Sequence, residues 1–480
     1  MTSGAGSRKY DVIVVGSGPA GIFTALELAG RNGALRVALL DKGPDLNHRL
    51  CPTKRQGVPC RRCRPCSIVT GWGGAGAFSD GKLTLTPEVG GSLDQYLGRE
   101  ALADLIEYVD RVYLRFGAPE RVYGGDAEAI RDLARRAAAA DMALIPARIR
   151  HLGTERCYDI LQAMHAHLAP RVEIMTGTEV AAVEVGGAGG AASGVVLAGG
   201  PRLDAKYVVC APGREGASWF AQEAGRIGLE METNPVDIGV RVELPAAVTE
   251  HITESVYESK LIYYTKSFDD RVRVFCMAPH GEVVIENNDG LITVNGHSYA
   301  GKQTDLTNFA LLVSKMFTEP FKEPLTYGRN IAALANMLGG GVLVQRLGDL
   351  LAGRRSTPKR IERGMVHPSL AEATPGDLSL VLPYRHLVDI LEMMQALDKV
   401  APGVYSRHTL LYGVEVKFYS ARPRLTQCLE TQVSNLFAIG DGAGVTRGLV
   451  QASVSGVWIA REILRREGLA VTASDAATRA

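Results

Sequence analysis

The chain has no run approaching the ~18 consecutive apolar residues that a membrane-spanning helix needs. Charge of one sign is also missing: 53 Lys and Arg meet 52 Asp and Glu among 480 residues. Such a near-neutral chain gives no reason to expect nucleic acid or an anionic membrane as its main partner. Residues Met1 to Tyr10 are small, polar and weakly basic, with no apolar signal core, so the expected location is cytoplasmic. No internal repeat is visible. An apolar fraction of 46% and 54 glycines then suit an ordinary α/β protein with many tight turns, and the length suits two or three structural units.

The segment Tyr10 to Val15 (YDVIVV) has the continuous β-branched character of a central parallel strand covered on both faces. It runs into Gly16-Ser17-Gly18-Pro19-Ala20-Gly21, then a helix to about Ala29, then a second strand from Arg36 to Leu40 that ends at Asp41. From Asn47 to Gly90 the chain reads as loop, from Arg99 to Ala140 as helix, and from Gly153 to Ala169 as another helix. Short strands are expected at Arg171 to Met175, Glu179 to Val185, Gly194 to Leu197 and Lys206 to Ala211, with Gly186 to Gly190 as a hairpin tip. Between about Glu230 and Phe418 the texture changes. Alternating segments at Arg271 to Met277 and Glu282 to Ile285 are joined by expected helices around Asn308 to Phe317 and His386 to Leu397. Strand, glycine turn and helix return from about Leu425 to Arg465, and Glu467 to Ala480 reads as a frayed tail.

Gly16-x-Gly18-x-x-Gly21 follows a strand, opens a helix and has an acid 20 residues beyond Gly21. That is the dinucleotide-binding arrangement. Gly16 permits the tight turn, Gly18 lets backbone approach a pyrophosphate, and Gly21 lets helix and sheet pack closely. Pro19 and Ala20 open the helix, whose N-terminus offers free N–H groups to phosphate. Asp41, followed by Lys42, is placed to accept from ribose hydroxyls. A second such motif after a strand is absent from the sequence, so one dinucleotide is expected, with no separate nicotinamide domain.

Two later segments separate the nucleotides. Tyr207-Val208-Val209-Cys210-Ala211-Pro212-Gly213 resembles the second glycine motif of FAD-dependent oxidoreductases. Leu436-Phe437-Ala438-Ile439-Gly440-Asp441-Gly442-Ala443 resembles their third, in which the acid bonds a ribityl hydroxyl and the next helix points at the flavin pyrimidine ring. With the first motif, their order resembles the glutathione-reductase-like FAD fold, and FAD is the implied cofactor. Gly71 to Leu83 (GWGGAGAFSDGKL) further resembles the GGAGxFSDGKL segment of a family of bacterial and archaeal FAD-dependent dehydrogenases, largely without assigned substrates. Phe275 to Val284 with Val294-Asn295-Gly296 resembles that family's FCMCPGGxVV…NG block, and Gly440 to Gly448 its GEGAGYAGG turn. Ala278 replaces an expected Cys, His280 an expected Gly and Asp441 a frequent Glu.

The expected architecture is therefore α/β: a Rossmann-type, discontinuous FAD-binding domain over 1–216 and 425–466, an inserted α+β substrate domain over 217–424, and a tail over 467–480. The nearly side-chain-free run Gly73-Gly74-Ala75-Gly76 lets backbone pass close to a flat ligand. Gly73, Gly74, Ala75, Val180, Gly213, Gly440, Asp441 and Gln451 join the first motif as candidate cofactor contacts.

Four of the eight cysteines are clustered: Cys51, Cys60, Cys63 and Cys66. Three readings stand beside one another: an iron–sulfur cluster, structural zinc, or thiols without metal, made reactive by Arg55, Arg61, Arg62 and Arg64. The other four read as buried small hydrophobes. Catalytic residues are not singled out by the sequence. His280 is a candidate proton donor, set against a hydrogen-bonded hairpin histidine. Tyr263, Tyr264, Lys417 and Tyr419 are candidate pocket residues, and Arg447 a candidate neighbour of the flavin. The expected activity is oxidation or reduction of a small organic molecule by hydride transfer at flavin N5. NAD(P)H or ferredoxin is the expected transient electron partner. The alternatives are a ferredoxin-linked, iron–sulfur-assisted reductase of C=C bonds and a flavoprotein that modifies tRNA.

Overall fold

The computed structural model describes residues 8–30, 34–52, 63–186, 190–288, 290–298, 303–317, 323–418 and 421–469. The chain divides into two compact units, one of residues 1–120, 150–232 and 420–480, the other of 121–149 and 233–419.

The first unit is built on a seven-stranded sheet. Its parallel part runs Glu173–Met175, Val37–Leu40, Arg8–Val15, Arg202–Cys210, with Leu436–Ala438 beside the last of these. Val15 is level with both Leu40 and Cys210, so the second, third and fourth of these strands end together. Their β-branched side chains are buried on both faces. The antiparallel hairpin Val180–Gly186 and Ala191–Leu197 extends the sheet. Its tip, 187–189, lies outside the described residues. The first helix, Pro19–Ala29, has Pro at its start, where a missing N–H costs nothing. It packs on the last helix, Leu449–Arg466, through glycine: a β-carbon on Gly456 would collide with the Ala20 carbonyl.

The second unit has an eight-stranded sheet in the order Thr374–Pro375, Leu343–Arg346, Leu410–Lys417, Val236–Pro245, Leu306–Lys315, Arg271–Ala278, Lys260–Tyr264, Met142–Ile145. All neighbouring pairs are antiparallel except the first. Helix Tyr384–Val400 buries Ile390, Met393, Met394 and Leu397 in the core of this unit. A separate hairpin joins Glu282–Asn288 to Leu291–His297.

Two secondary-structure expectations are corrected, and two stretches group differently from the expected domain bounds. Asn308 to Phe317 is no helix: Leu306–Lys315 is a sheet strand bonded on both edges. Its run FALLV is buried on both faces, which removes the alternation that marks a strand. The helical stretch 99–140 is two helices, Arg99–Arg115 and Ala127–Ala139, broken around Gly117, Pro119 and Gly124. The second of them, with strand Met142–Ile145, groups with the second unit, where that strand pairs with Lys260–Tyr264. Residues 217–232 stay with the first unit: helix Ala217–Arg226 buries Phe220 and Ala224 there, and its Glu223 accepts from Val183 N at 2.9 Å. No helix among the described residues is long and apolar enough to cross a membrane.

Candidate functional site

The first strand delivers Gly16 to the end of the parallel sheet, where its φ is +109° and a β-carbon would collide with the Ala211 carbonyl. Gly21 faces back onto the Gly16 carbonyl with equally little room. Gly18 caps the first helix without any side-chain hydrogen bond, leaving the leading amides unpartnered by a cap. Ala20, the second residue of that helix, is buried and 3.2 Å from where a β-carbon on Gly440 would stand.

The other glycine segments come to the same place. Gly73 N donates to Ser17 O at 2.8 Å, and a β-carbon on Gly74 would sit 3.0 Å from Gly18 Cα. A β-carbon on Gly76 would stand 2.6 Å from Leu449 Cδ2 and 3.7 Å from Pro19 Cγ. The glycine run therefore passes between the starts of the first and last helices. Gly73 and Gly74 both have positive φ, and Ala75 lies in the single helical turn Gly74–Phe78 that follows. Gly213, at φ +62°, is so close to Gly442 that a β-carbon on the latter would overlap its carbonyl. The last helix starts at Gly448, also without a side-chain cap.

The two acids differ in what they have left to offer. Asp41 Oδ2 accepts from Ser17 N and Ser17 Oγ at 2.9 and 2.8 Å, and Oδ1 from Gly43 N and Gly71 N at 2.8 and 2.9 Å. A carboxylate offers about four lone-pair positions, so protein donors occupy them all. Asp41 ties three loops together, a role its spacing did not disclose. Among the described residues Asp441 is given two hydrogen bonds, from Thr446 Oγ1 at 2.8 Å and Gly448 N at 3.2 Å. Burial pushes its carboxyl above the usual range, against the lowering pull of the Arg214 charge, these two bonds and the Arg447 charge.

Of the remaining candidates, Lys42 pairs with Glu215 at 3.7 Å, both partly exposed, a contact of small energetic weight. Val180 is buried at the start of its strand, opposite Leu197. Gln451 is buried in the first turn of the last helix. Arg49, which the sequence did not single out, is 3% exposed and donates to three carbonyls: Ser67 at 2.9 Å, Ile68 at 2.8 Å and Trp72 at 2.6 Å. Burial lowers its pKa to about 10, with Asp41 and Cys66 acting in the opposite sense. It holds the approach to the glycine run. Its only sequence signal is a lone Arg beside a Gly-rich loop.

Cys51, Cys63 and Cys66 are free thiols; Cys60, with Arg55, Arg61 and Arg62, lies outside the described residues. Among the described residues no group of three or more His, Cys, Asp or Glu is arranged to hold a metal ion.

In the second unit the Phe275-to-Gly296 block surrounds a buried charge. Arg241 is fully buried; its Nε donates to Asn308 Oδ1 at 2.8 Å, its Nη2 to Cys276 O at 2.6 Å, and its Nη1 to Glu415 at 3.3 Å. Gly296 has no side chain because the Arg241 guanidinium fills that space. Lys417 pairs with Glu415 at 3.0 Å and Glu286 at 3.4 Å. Burial alone would lower the Lys417 pKa, but the two carboxylates raise it above the ordinary lysine range. Lys417 is thus held as a cation in an ion network. His280 sits in the turn after Arg271–Ala278 with φ +48° and its Nδ1 2.9 Å from Thr304 O. Nδ1 therefore carries the proton it donates to that carbonyl. The left-handed backbone explains why glycine is the residue expected there. Tyr263 is buried, Tyr264 is exposed, and Tyr419 lies outside the described residues.

Residues 11–56 match the profile of an FAD binding domain, and residues 235–418 match an FAD-dependent protein, C-terminal domain-like profile. An uncharacterized protein of Clostridium beijerinckii is 28% identical over 489 residues, spanning 97% of this chain and 83% of that one. Among solved structures, glycine oxidase from Geobacillus kaustophilus gives 15% identity and TM-score 0.41, covering 97% of this chain and 99% of the other. L-Proline dehydrogenase from P. horikoshii gives 11% and 0.40, with 96% and 94% covered. A formate oxidase variant of Aspergillus oryzae gives 12% and 0.46, with 98% and 100% covered. Similarity at that level says nothing of this chain's substrate. The two profiles fall on the glycine-built end of the first unit and on the sheet of the second, and the protein is an FAD-binding protein of mixed α/β fold.

Proposed function

We propose that the protein oxidises or reduces a small organic molecule by hydride transfer at the N5 of FAD, with the first unit holding the cofactor and the second binding the substrate. The observation that carries this is the meeting of three glycine segments with two uncapped helix starts in the first unit. Helix starts present N–H groups to anions, and the glycines remove every side chain that would keep a pyrophosphate and a flat ring from the backbone. Gly16, Gly18, Pro19, Ala20 and Gly21 are assigned to the pyrophosphate, with Gly73, Gly74 and Ala75 beside it. Gly213, Gly440 and Asp441 are assigned to the ribityl chain, where Asp441 has acceptor capacity left. Lys42 and Val180 are assigned to the adenosine end. Asp41 orders the loops that present these groups.

Bound FAD supplies hydride acceptance and donation at N5, and the protein supplies orientation and exclusion of water. The likeness of Gly71 to Leu83 to the FAD-dependent dehydrogenases supports this reading. Ferredoxin-linked reduction through a cysteine-bound metal draws no support from the described thiols, and no step here passes through one. A near-neutral charge gives no support to tRNA modification.

The test is purification under anaerobic conditions, release and identification of the flavin by acid or heat, and iron and zinc analysis. Reduction is then tried separately with NADH, NADPH and reduced ferredoxin. Yellow protein that releases FAD and is reduced by one of these agrees with the proposal. A colourless protein that takes up no FAD overturns it.

A further inference from the structure

Gln451 is the third residue of the last helix and 2% exposed. Its Nε2 donates to Val89 O at 3.1 Å and to Pro87 O at 3.4 Å. Both partners are carbonyls, which only accept, so the amide can be oriented one way: nitrogen towards 87–89, oxygen away from it. The segment is pressed against this side chain, since a β-carbon on Gly90 would stand 2.8 Å from Gln451 Cγ. The opposite end of the amide is different. Gln451 Oε1 is buried and meets no donor among the described residues. Two residues earlier, Leu449 packs on Gly76 of the glycine run, and the helix begins at Gly448 with no side-chain cap. An enclosed acceptor with nothing to accept thus stands beside a helix start whose first amides have no intrahelical acceptor.

We propose that Gln451 Oε1 accepts a hydrogen bond from the N3–H of the flavin pyrimidine ring, making Gln451 the side chain that recognises this edge of FAD. The inference rests on the FAD reading of the site. The chemistry is one of matching patterns. The edge O2, N3–H, O4 reads acceptor, donor, acceptor, and N3–H is the one N–H of the oxidised ring. A helix start supplies donors for the two carbonyl oxygens and lacks an acceptor for the group between them. Gln451 supplies that acceptor, held rigid by the two carbonyls at its other end. A ribityl hydroxyl needs no such combination, because it can donate or accept by rotation.

The experiment compares FAD with N3-methyl FAD, which keeps both carbonyls and loses the donor. Each is titrated into flavin-free protein and followed by flavin fluorescence and by the visible absorbance bands. In the unmodified protein the methyl group should weaken binding about tenfold or more, the effect of leaving a buried acceptor unpaired. In Gln451→Leu, similar in size and without the acceptor, FAD and its methyl analogue should bind alike. Thermal unfolding of the variant shows whether it folds. If it does not, the pair measured on unmodified protein still decides, because equal binding of the two flavins there overturns the proposal. An equal methyl penalty in both proteins also overturns it, since that would be crowding or a water contact unrelated to Gln451. Failure of unmodified FAD to bind the unmodified protein would instead overturn the FAD reading, and this inference with it.

Discussion

In the first unit, Gly442 is bare because the backbone of Gly213 occupies the place of its side chain; in the second, Gly296 is bare because the Arg241 guanidinium does. The first arrangement brings main chain against main chain and leaves loops that can receive a ligand. The second makes room for a charge that is then wholly taken up by Asn308, Glu415 and the Cys276 carbonyl. Glycine in a family motif thus has two meanings, and its neighbours decide which applies. In the first unit it builds a cradle; in the second it accommodates an internal ion network.

Four substitutions test that contrast. Gly18→Trp places a large ring where Gly74 lies 4.0 Å from the β-carbon position. The expected result is complete loss of FAD, read as the flavin-to-protein ratio after gel filtration. A stoichiometric ratio would remove Gly18 from the cradle.

Arg241→Met leaves Glu415 with Lys417 as its remaining cation in a fully buried place. Breaking one side of a buried pair costs roughly 3–5 kcal/mol, measurable by denaturant unfolding, while FAD content should stay near normal. Loss of flavin in step with loss of stability would merge the two meanings into one.

His386 in the second unit lets pH do the same work. It is 3% exposed and neither ring nitrogen has a partner among the described residues. Burial first, then the charge of Lys315, lower its pKa from 6.5 to about 4, with Asp270 pulling the other way and Arg385 adding to the lowering. The unfolded chain therefore binds a proton between about pH 6.5 and 4 that the folded chain does not. Stability is full above that window and falls as pH drops through it, by up to about 1.4 kcal/mol per pH unit. His386→Leu should flatten this acid limb in thermal unfolding; an unchanged slope would place its cause in other groups.

The smallest effect is at His280. With φ +48°, His280→Gly should shift stability by less than about 1 kcal/mol in thermal unfolding, because relief of the left-handed backbone is offset by loss of the bond to Thr304 O. FAD content should not change. A loss of flavin would move this turn into the cradle.

These cases also show what the sequence could and could not disclose. Gly16, Gly18 and Gly21 were legible because a tight turn and a close helix are local demands that few residues meet. The strand Leu306–Lys315 was misread because burial on both faces erases its alternation. The grouping of 121–149 with the second unit was illegible because it depends on which sheet edge Met142–Ile145 joins. The spacing found Asp41 but not its work, since its donors Ser17 and Gly71 lie 24 and 30 residues away. Arg49 and its three carbonyls left only a lone Arg beside a Gly-rich loop.

One of those donors has a wider consequence. Gly43 N and Gly71 N bond the same oxygen of Asp41, and Trp72 N returns to Pro44 O at 3.2 Å. The stretch from 44 to 70, with all four clustered cysteines, thus departs and comes back at a single atom. In mechanical terms it is a loop clasped at its two ends. Loss of the Asp41 carboxylate would release Gly43 and Gly71 together, and with them both ends of the clasp.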